Sequence, residues 1–133
     1  MHTILVSRKA GMELNDIALL LERNDISILM AETGPETIKQ FCNHQETDMV
    51  LISVDLPTIN GFDTTLMIRQ LNKDIPIILF INYSNHESLR LATMVGCSGV
   101  IQNPVDPEEM LGLVVKYLNE NTQKTILQEI ENI

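Results

Sequence analysis

Five runs of apolar, largely β-branched residues recur along the chain, at Thr3–Ser7, Ile26–Ala31, Met49–Ser53, Ile75–Ile81 and Gly99–Gln102. Most are continuously apolar instead of alternating, which is the pattern of strands buried on both faces of a parallel sheet. Between them lie stretches with helical spacing. Leu14, Ile17, Ala18 and Leu21 follow the i, i+3, i+4, i+7 rule. Thr33-Gly34-Pro35-Glu36 opens a second helix, with Pro35 suited to a first turn, and a third follows Asn60-Gly61 with Phe62, Leu66 and Ile68. Ser84-Asn85-His86-Glu87 reads as a capping box opening a fourth helix that stops at Gly96. Asp106-Pro107-Glu108-Glu109 opens the fifth with an acidic cap and a proline at the first helical position.

Strands alternating with helices predict an α/β fold with parallel strands and right-handed crossovers, and five such units fill residues 3–118. Residues 119–133 are different. A polar stretch, Asn119-Glu120-Asn121-Thr122-Gln123, is followed by Ile126, Leu127, Ile130 and Ile133 at helical spacing. This segment reads either as a C-terminal helical extension or as a linker or dimerising helix. One short stripe falls short of a sustained heptad repeat, which favours the simple extension.

Composition narrows the class. The 133 residues fit one domain, and 44% apolar with 20% charged is a globular balance. No apolar run approaches the ~20 residues of a membrane span. Met1 leads into the first strand with no signal or transit segment ahead of it, and two cysteines, Cys42 and Cys97, are too few for a disulfide scaffold. A cytoplasmic location is therefore expected. Nine basic against eighteen acidic residues leave a net charge of −9, which argues against direct nucleic-acid binding. His2, His44 and His86 are scattered without metal-ligand spacing.

In open α/β sheets ligands bind beyond the carboxyl ends of the strands. The residues there are Ser7-Arg8-Lys9 after the first strand, Ser53-Val54-Asp55 after the third, Ile81-Asn82 after the fourth and Asn103-Pro104 after the fifth. Among them Asp55 is the only acid, against Arg8 and Lys9, so the local balance is +1 although the chain is strongly acidic. Neither a nucleophile–base pair nor a metal cluster emerges from these positions, and an independent enzyme is not expected.

The segment from Asp48 to Asp63, with an apolar strand, Ser53, Asp55, Pro57 and the pair Asn60-Gly61, resembles the third strand and loop of response-regulator receiver domains, the CheY-like family. Residues 31–36 resemble the family's second strand-to-helix turn, 76–81 its fourth strand and 96–109 its fifth strand and helix. The likeness covers residues 3–118, with Pro57, Gly61, Gly96 and Pro104 in register. It implies a (βα)5 flavodoxin-like three-layer sandwich with a parallel five-stranded sheet in the order 2-1-3-4-5. It also implies a signalling module of a two-component, phosphorelay type system. The usual partner surface would be the face of the fourth helix, fifth strand and fifth helix. Here that face carries Glu87, Asp106, Glu108 and Glu109 against Arg90 and Lys116, with Tyr83 or Tyr117 as exposed anchors.

The same alignment departs from the family at its functional positions. The acidic pair falls on Ser7 and Arg8, the phosphoacceptor on Ser53, the hydroxyl residue of the fourth strand on Ile81, the switch aromatic on Val100 and the lysine on Asn103. Pro104 is retained, and the resemblance implies a cis Asn103–Pro104 bond. Phosphoryl transfer to an aspartate needs Mg²⁺ held by carboxylates, and positioning with charge neutralisation supplies nearly all of the catalysis. Three carboxylates are replaced here and an arginine that cannot lose its charge is added, so Mg²⁺ binding is expected to be absent or weak and no cofactor is expected. Ser53 lacks a base to make it a nucleophile and is read as a small neutral filler. Asp55, two residues on, could return to the same face as a shifted acceptor, but an ion pair with Arg8 or Lys9 is favoured.

Three functions follow from these readings. The first is a pseudo-receiver acting through protein contacts without standard phosphorylation. The second is a receiver phosphorylated at Asp55. The third is a small-anion or nucleotide-binding domain using Ser7-Arg8-Lys9-Ala10-Gly11 ahead of a helix N-terminus, although that loop lacks the glycine spacing of a phosphate-binding fingerprint.

Overall fold

The computed structural model describes residues 2–9, 15–81, 86–102 and 106–131, with the backbone alone for 15–17 and 121–129. Strand β1 (His2–Ser7) lies between β2 (Ile26–Ala31) and β3 (Met49–Ser53), and β4 (Ile77–Ile81) and β5 (Gly99–Gln102) continue the sheet beyond β3. All pairings are parallel and the order is β2-β1-β3-β4-β5, as the pattern and the resemblance implied. Every residue of β3 and β4 is buried, whereas the edge strand β2 is buried only at its two ends and β5 only at Ile101. The continuously apolar runs are therefore the central strands.

Helices α1 (Asn15–Arg23), α2 (Gly34–Asn43), α3 (Gly61–Leu71), α4 (His86–Met94) and α5 (Pro107–Glu131) close the two faces. On one face Ile4, Val6, Leu51, Ile78 and Phe80 pack against Leu21 of α1 and Met110, Val114 and Leu118 of α5. On the other, Leu5, Val50, Ile52, Ile77 and Leu79 pack against Ile38 of α2, Ile68 of α3 and Ala92 of α4. Strand alternation thus sends odd and even residues of each strand to different helices.

Local chemistry sets the helix starts. Thr33 accepts a hydrogen bond from the Glu36 N–H at 3.1 Å and Asn60 one from the Asp63 N–H at 2.9 Å, both as N-caps. Asp106 caps α5 through the Glu108 N–H at 3.1 Å. The fourth helix ends before Gly96, which takes φ +84. Its expected capping residue, Ser84, lies outside the described residues, as do Asn82 and Tyr83. The fourth strand begins at Ile77, two residues later than the pattern predicts, because Pro76 has no N–H to give the ladder and only its carbonyl, accepting from Val50 at 3.0 Å, joins it. Leu66, read as part of the third helix's apolar pattern, points outward and is exposed. Residues 119–131 continue α5 as helix without a break.

At the edge where the strands begin, Arg69 of α3 ties four segments together. Its Nε donates to the Gly96 carbonyl at 2.7 Å and its terminal nitrogens to the carbonyls of Ile75 (2.7 Å) and Asn72 (3.3 Å) and to Ser98 Oγ (3.2 Å). Ser98 Oγ also accepts from the Ile77 N–H, and the Ser98 carbonyl accepts from the Tyr117 hydroxyl at 2.6 Å. Burial lowers the guanidinium's proton affinity, with Cys97 and Asp74 opposing the shift, but it stays charged at any ordinary pH. Bonds to a charged donor contribute ~1.5–3 kcal/mol each when buried, less here because Arg69 is only half-buried. Arg69→Ala is therefore expected to lower unfolding stability by ~2–3 kcal/mol, read as a shift in the urea midpoint with an unchanged slope.

Candidate functional site

The carboxyl ends of β1, β3 and β4 are brought side by side by the ladder register, in which Ser7 pairs with Ile52 and Ser53 with Phe80. Ser7, Ser53 and Ile81 are fully or almost fully buried. Val100, half-buried, lies opposite Leu79, two residues short of the end of β4, and packs into the core beneath α3 and α4. Asn103 and Pro104, and with them the isomer of their peptide bond, lie outside the described residues. Ser7, Ser53 and Ile81 thus end neighbouring strands, although the pleat divides Ser7 from Ser53. Ser7 shares the α2 face with Leu5, and Ser53 shares the α1–α5 face with Leu51.

Both buried serines have hydrogen-bonding partners. Thr37 Oγ1 of α2 is 2.8 Å from Ser7 Oγ and 2.7 Å from the Thr33 carbonyl, so one buried hydroxyl joins the end of β1 to the first turn of α2. Ser53 Oγ accepts from the Asp55 N–H at 3.4 Å. Such partners are what buried hydroxyls require. Thr37 was not singled out from the sequence, where a threonine one turn into a helix is an ordinary surface residue. Only the packing of α2 on β1 buries it.

The loop after β3 closes over this edge. The Gly61 N–H donates to the Val54 carbonyl at 3.1 Å, and a Cβ at Gly61 would come within 2.3 Å of the Ser53 carbonyl oxygen. Gly34 packs as closely on Ile59, and its N–H donates to the Pro57 carbonyl at 3.3 Å. The Ile59 N–H turns back onto the Pro57 carbonyl at 2.8 Å, with Thr58 between them at φ 72, a tight γ-turn that costs a β-branched residue strain. The β3–α3 loop is thereby clamped between the starts of α2 and α3.

Asp55 is exposed on this loop. Regular strand ends at Ser53 and the chain turns at Val54 and Asp55. Arg8 continues the β1 ladder through its N–H to the Ala31 carbonyl at 3.0 Å and is half-buried, while Lys9 is exposed. Arg8 and Asp55 each interact with polar or charged neighbours. The local charge balance needs correction. Glu32, the first residue after β2, lies at this same edge with its N–H donating to the Glu36 carboxylate at 3.1 Å. Glu32, Glu36 and Asp55 together outnumber Arg8 and Lys9. The signal that would have found Glu32 was the strand-end rule itself, applied to the second strand as to the others.

Elsewhere, Tyr117 is not an exposed anchor. It is half-buried against Gly99, with its hydroxyl held by Ser98 and Lys116 5.6 Å from the centre of its ring. His2 faces Asp48 at 3.5 Å and His44 faces Glu46 at 3.1 Å. No group of three potential metal ligands occurs among the described residues, and none of their helices is long and apolar enough to cross a membrane.

Comparison with known proteins adds a second line. Residues 12–115 match the response regulator receiver domain model. The chain is 29% identical over 104 residues to the CAI-1 autoinducer sensor kinase/phosphatase CqsS of Vibrio cholerae, covering 76% of this chain and 15% of that protein. It is 28% identical to Protein PilH of Pseudomonas aeruginosa, covering 84% of this chain and 93% of that one. The chain therefore spans a small part of the sensor kinase and nearly all of PilH. Among solved structures, a CheY-like response regulator receiver domain from Methanospirillum hungatei superposes with a TM-score of 0.84 at 20% identity, over 93% of this chain and 98% of that one. A receiver domain from Clostridium thermocellum gives 0.84 at 20% identity, over 92% and 98%. These two likenesses establish the fold.

The buried hydroxyl pair gives a direct test of the site's packing. Thr37→Val, which leaves Ser7 Oγ without its partner, is expected to cost ~1–2 kcal/mol of unfolding free energy, and Ser7→Ala combined with it less than the sum of the two single changes. Chemical denaturation of the four proteins reads the coupling.

Proposed function

This chain belongs to the response regulator receiver domain family, the receivers of two-component signalling systems, and from that premise we propose that it is a pseudo-receiver, signalling through protein contacts without phosphorylation at the usual position. The observation that carries the reading is the fully buried, hydrogen-bonded Ser53 at the end of β3, where the family resemblance puts the phosphoacceptor. A hydroxyl without a base to take its proton is a poor acceptor, and one of its two lone pairs already accepts from the Asp55 N–H.

The metal argument supports the same reading. Mg²⁺ favours carboxylate and phosphate oxygens and gives up its water reluctantly. At the acidic-pair positions stand Ser7, whose hydroxyl is bonded to Thr37, and Arg8, a permanent cation. Ile81 offers no hydroxyl to a phosphoryl group. Asn103, by the same resemblance, offers no cation. A site of this composition has little to hold Mg²⁺, and no cofactor is proposed. The domain then comprises residues 1–118 with 119–133 as an extension, works in the cytoplasm, and is a signalling module and not an enzyme. Its state is set by differential affinity of a partner for alternative conformations.

The proposed contact face is α4–β5–α5, where Leu89 and Met94 of α4 and Val115 of α5 are exposed apolar side chains among charged ones. Glu87 and Arg90 form an exposed i, i+3 pair at 3.4 Å there, a contact of little energetic weight that leaves both side chains accessible to a partner.

Incubation with Mg²⁺ and acetyl phosphate, or with beryllium fluoride, tests the proposal. Intact mass is expected to stay unchanged, and amide resonances of residues 53–55 are expected not to move with Mg²⁺. A phosphoryl adduct that maps to Asp55, exposed on the loop beside Ser53, would install the shifted-acceptor reading instead. An ordered phosphate held by Arg8 and Lys9 without any adduct would favour anion binding.

A further inference from the structure

Asn60 is the only asparagine of the chain that precedes a glycine. In an open chain such a pair is chemically labile. Glycine has no Cβ to shield its nitrogen and its backbone turns freely, so that nitrogen can reach the side-chain carbonyl carbon of the asparagine before it. The fold nevertheless uses both residues. Asn60 is the N-cap of α3, a place that a short polar side chain fills best. Gly61 lies where a Cβ would collide with the Ser53 carbonyl oxygen and come within 2.6 Å of Val54 Cα, so a larger residue would push α3 away from the end of β3.

With the junction closed, each atom of the reaction is held out of position. At the observed ψ of 169 the Asn60 side chain is staggered against the Gly61 nitrogen, whereas the five-membered ring that would join them needs the two eclipsed. The Asn60 carbonyl accepts from the Thr64 N–H at 2.9 Å and the Thr64 hydroxyl at 2.8 Å, which keeps that peptide plane from turning. The Gly61 N–H, whose proton must leave before the nitrogen can attack, donates to the Val54 carbonyl at 3.1 Å. Asn60 Oδ1 accepts from the Asp63 N–H at 2.9 Å, and Nδ2 donates to the Asp63 carboxylate at 3.4 Å.

We propose that Asn60–Gly61 is a latent deamidation site, held shut by the closed β3–α3 junction and modified when that junction opens. The Gly61 nitrogen gives its proton to water and bonds to the Asn60 side-chain carbonyl carbon. The bond from that carbon to Nδ2 breaks, and Nδ2 leaves with a proton as ammonia. Water then opens the ring. Cleavage at the side-chain carbonyl gives aspartate, and cleavage at the main-chain carbonyl gives isoaspartate, whose backbone runs through the former side chain. One water is consumed, one ammonia is released, and nothing is oxidised or reduced.

The two products affect the junction differently. Aspartate keeps the cap, and its charge suits a helix N-terminus, although it loses the Nδ2 donor to Asp63. Isoaspartate adds a backbone carbon immediately before Gly61. Gly61 already sits hard against Ser53 and Val54, so the lengthened chain cannot restore both the Gly61–Val54 hydrogen bond and the cap. The change is one-way, and it falls on the segment that closes over Ser53.

Full-length protein, folded in buffer or unfolded in urea, is incubated at neutral pH. Residue 60 is followed by peptide mass mapping, and isoaspartate by enzymatic methylation. The unfolded chain is expected to lose Asn60 ahead of its other asparagines. In the folded chain the loss is expected to be slower by roughly 100-fold or more, matching the protection of the Gly61 amide against hydrogen exchange, because both need that N–H freed from Val54. Isolated isoaspartate-60 protein is expected to unfold at lower urea than Asn60→Asp. Three results would each overturn the proposal. These are equal loss of Asn60 in the folded and unfolded chains, loss in the unfolded chain no faster than at Asn72, or an isoaspartate-60 protein with the urea midpoint of Asn60→Asp.

Discussion

Strands β3 and β4 have no solvent face, and the rest of the molecule is arranged around that burial. A parallel strand covered on both sides needs a helix layer above and below it, which the two apolar clusters supply. Its backbone polar groups are satisfied by the ladder, while any polar side chain it carries must find a partner inside the protein. Only at the strand ends does the constraint loosen, and the polar residues Ser7 and Ser53 stand there.

The same constraint determines what those ends can do. An ionised carboxylate at the depth of Ser53 would require a cation or several donors to offset its desolvation. The neutral serine needs one donor and has it in the Asp55 N–H. The close approach of Gly61 to the Ser53–Val54 backbone and of Gly34 to Ile59 then holds the loop down over the edge. The site is built as a packed end of the sheet, with hydroxyls bonded to the chain itself. Its charges, Arg8, Lys9, Glu32, Glu36 and Asp55, lie at its rim. On the opposite edge the half-buried Arg69 replaces packing by hydrogen bonds to three carbonyls and a hydroxyl. It fixes where α3, β4 and the α4–β5 turn meet and, through Ser98, where Tyr117 of α5 rests.

The strands were readable because burial on both faces leaves an unbroken apolar run, and the helix starts because capping depends on a few adjacent residues. Asp106 caps as its local sequence implied, and Thr33 and Asn60 cap the helices whose starts the sequence marked. The fourth strand's start was misplaced by two residues because an apolar run does not mark where Pro76 interrupts the ladder. Tyr117 looked like a surface anchor, since its side chain is amphipathic and its sequence neighbours are charged. Its burial depends on Gly99, which leaves room for the ring and lies eighteen positions away in the chain.

The sequence by itself determined the class of fold and the identity of the strand-end residues. These are properties of residue type and of period, which adjacent positions encode. Tertiary structure alone decided that Thr37 is the partner of Ser7, that Tyr117 is half-buried against Gly99, and that Arg69 reaches the α4–β5 turn at Gly96 and Ser98. Each of those depends on which distant segments the sheet order brings together, and no local pattern carries that information.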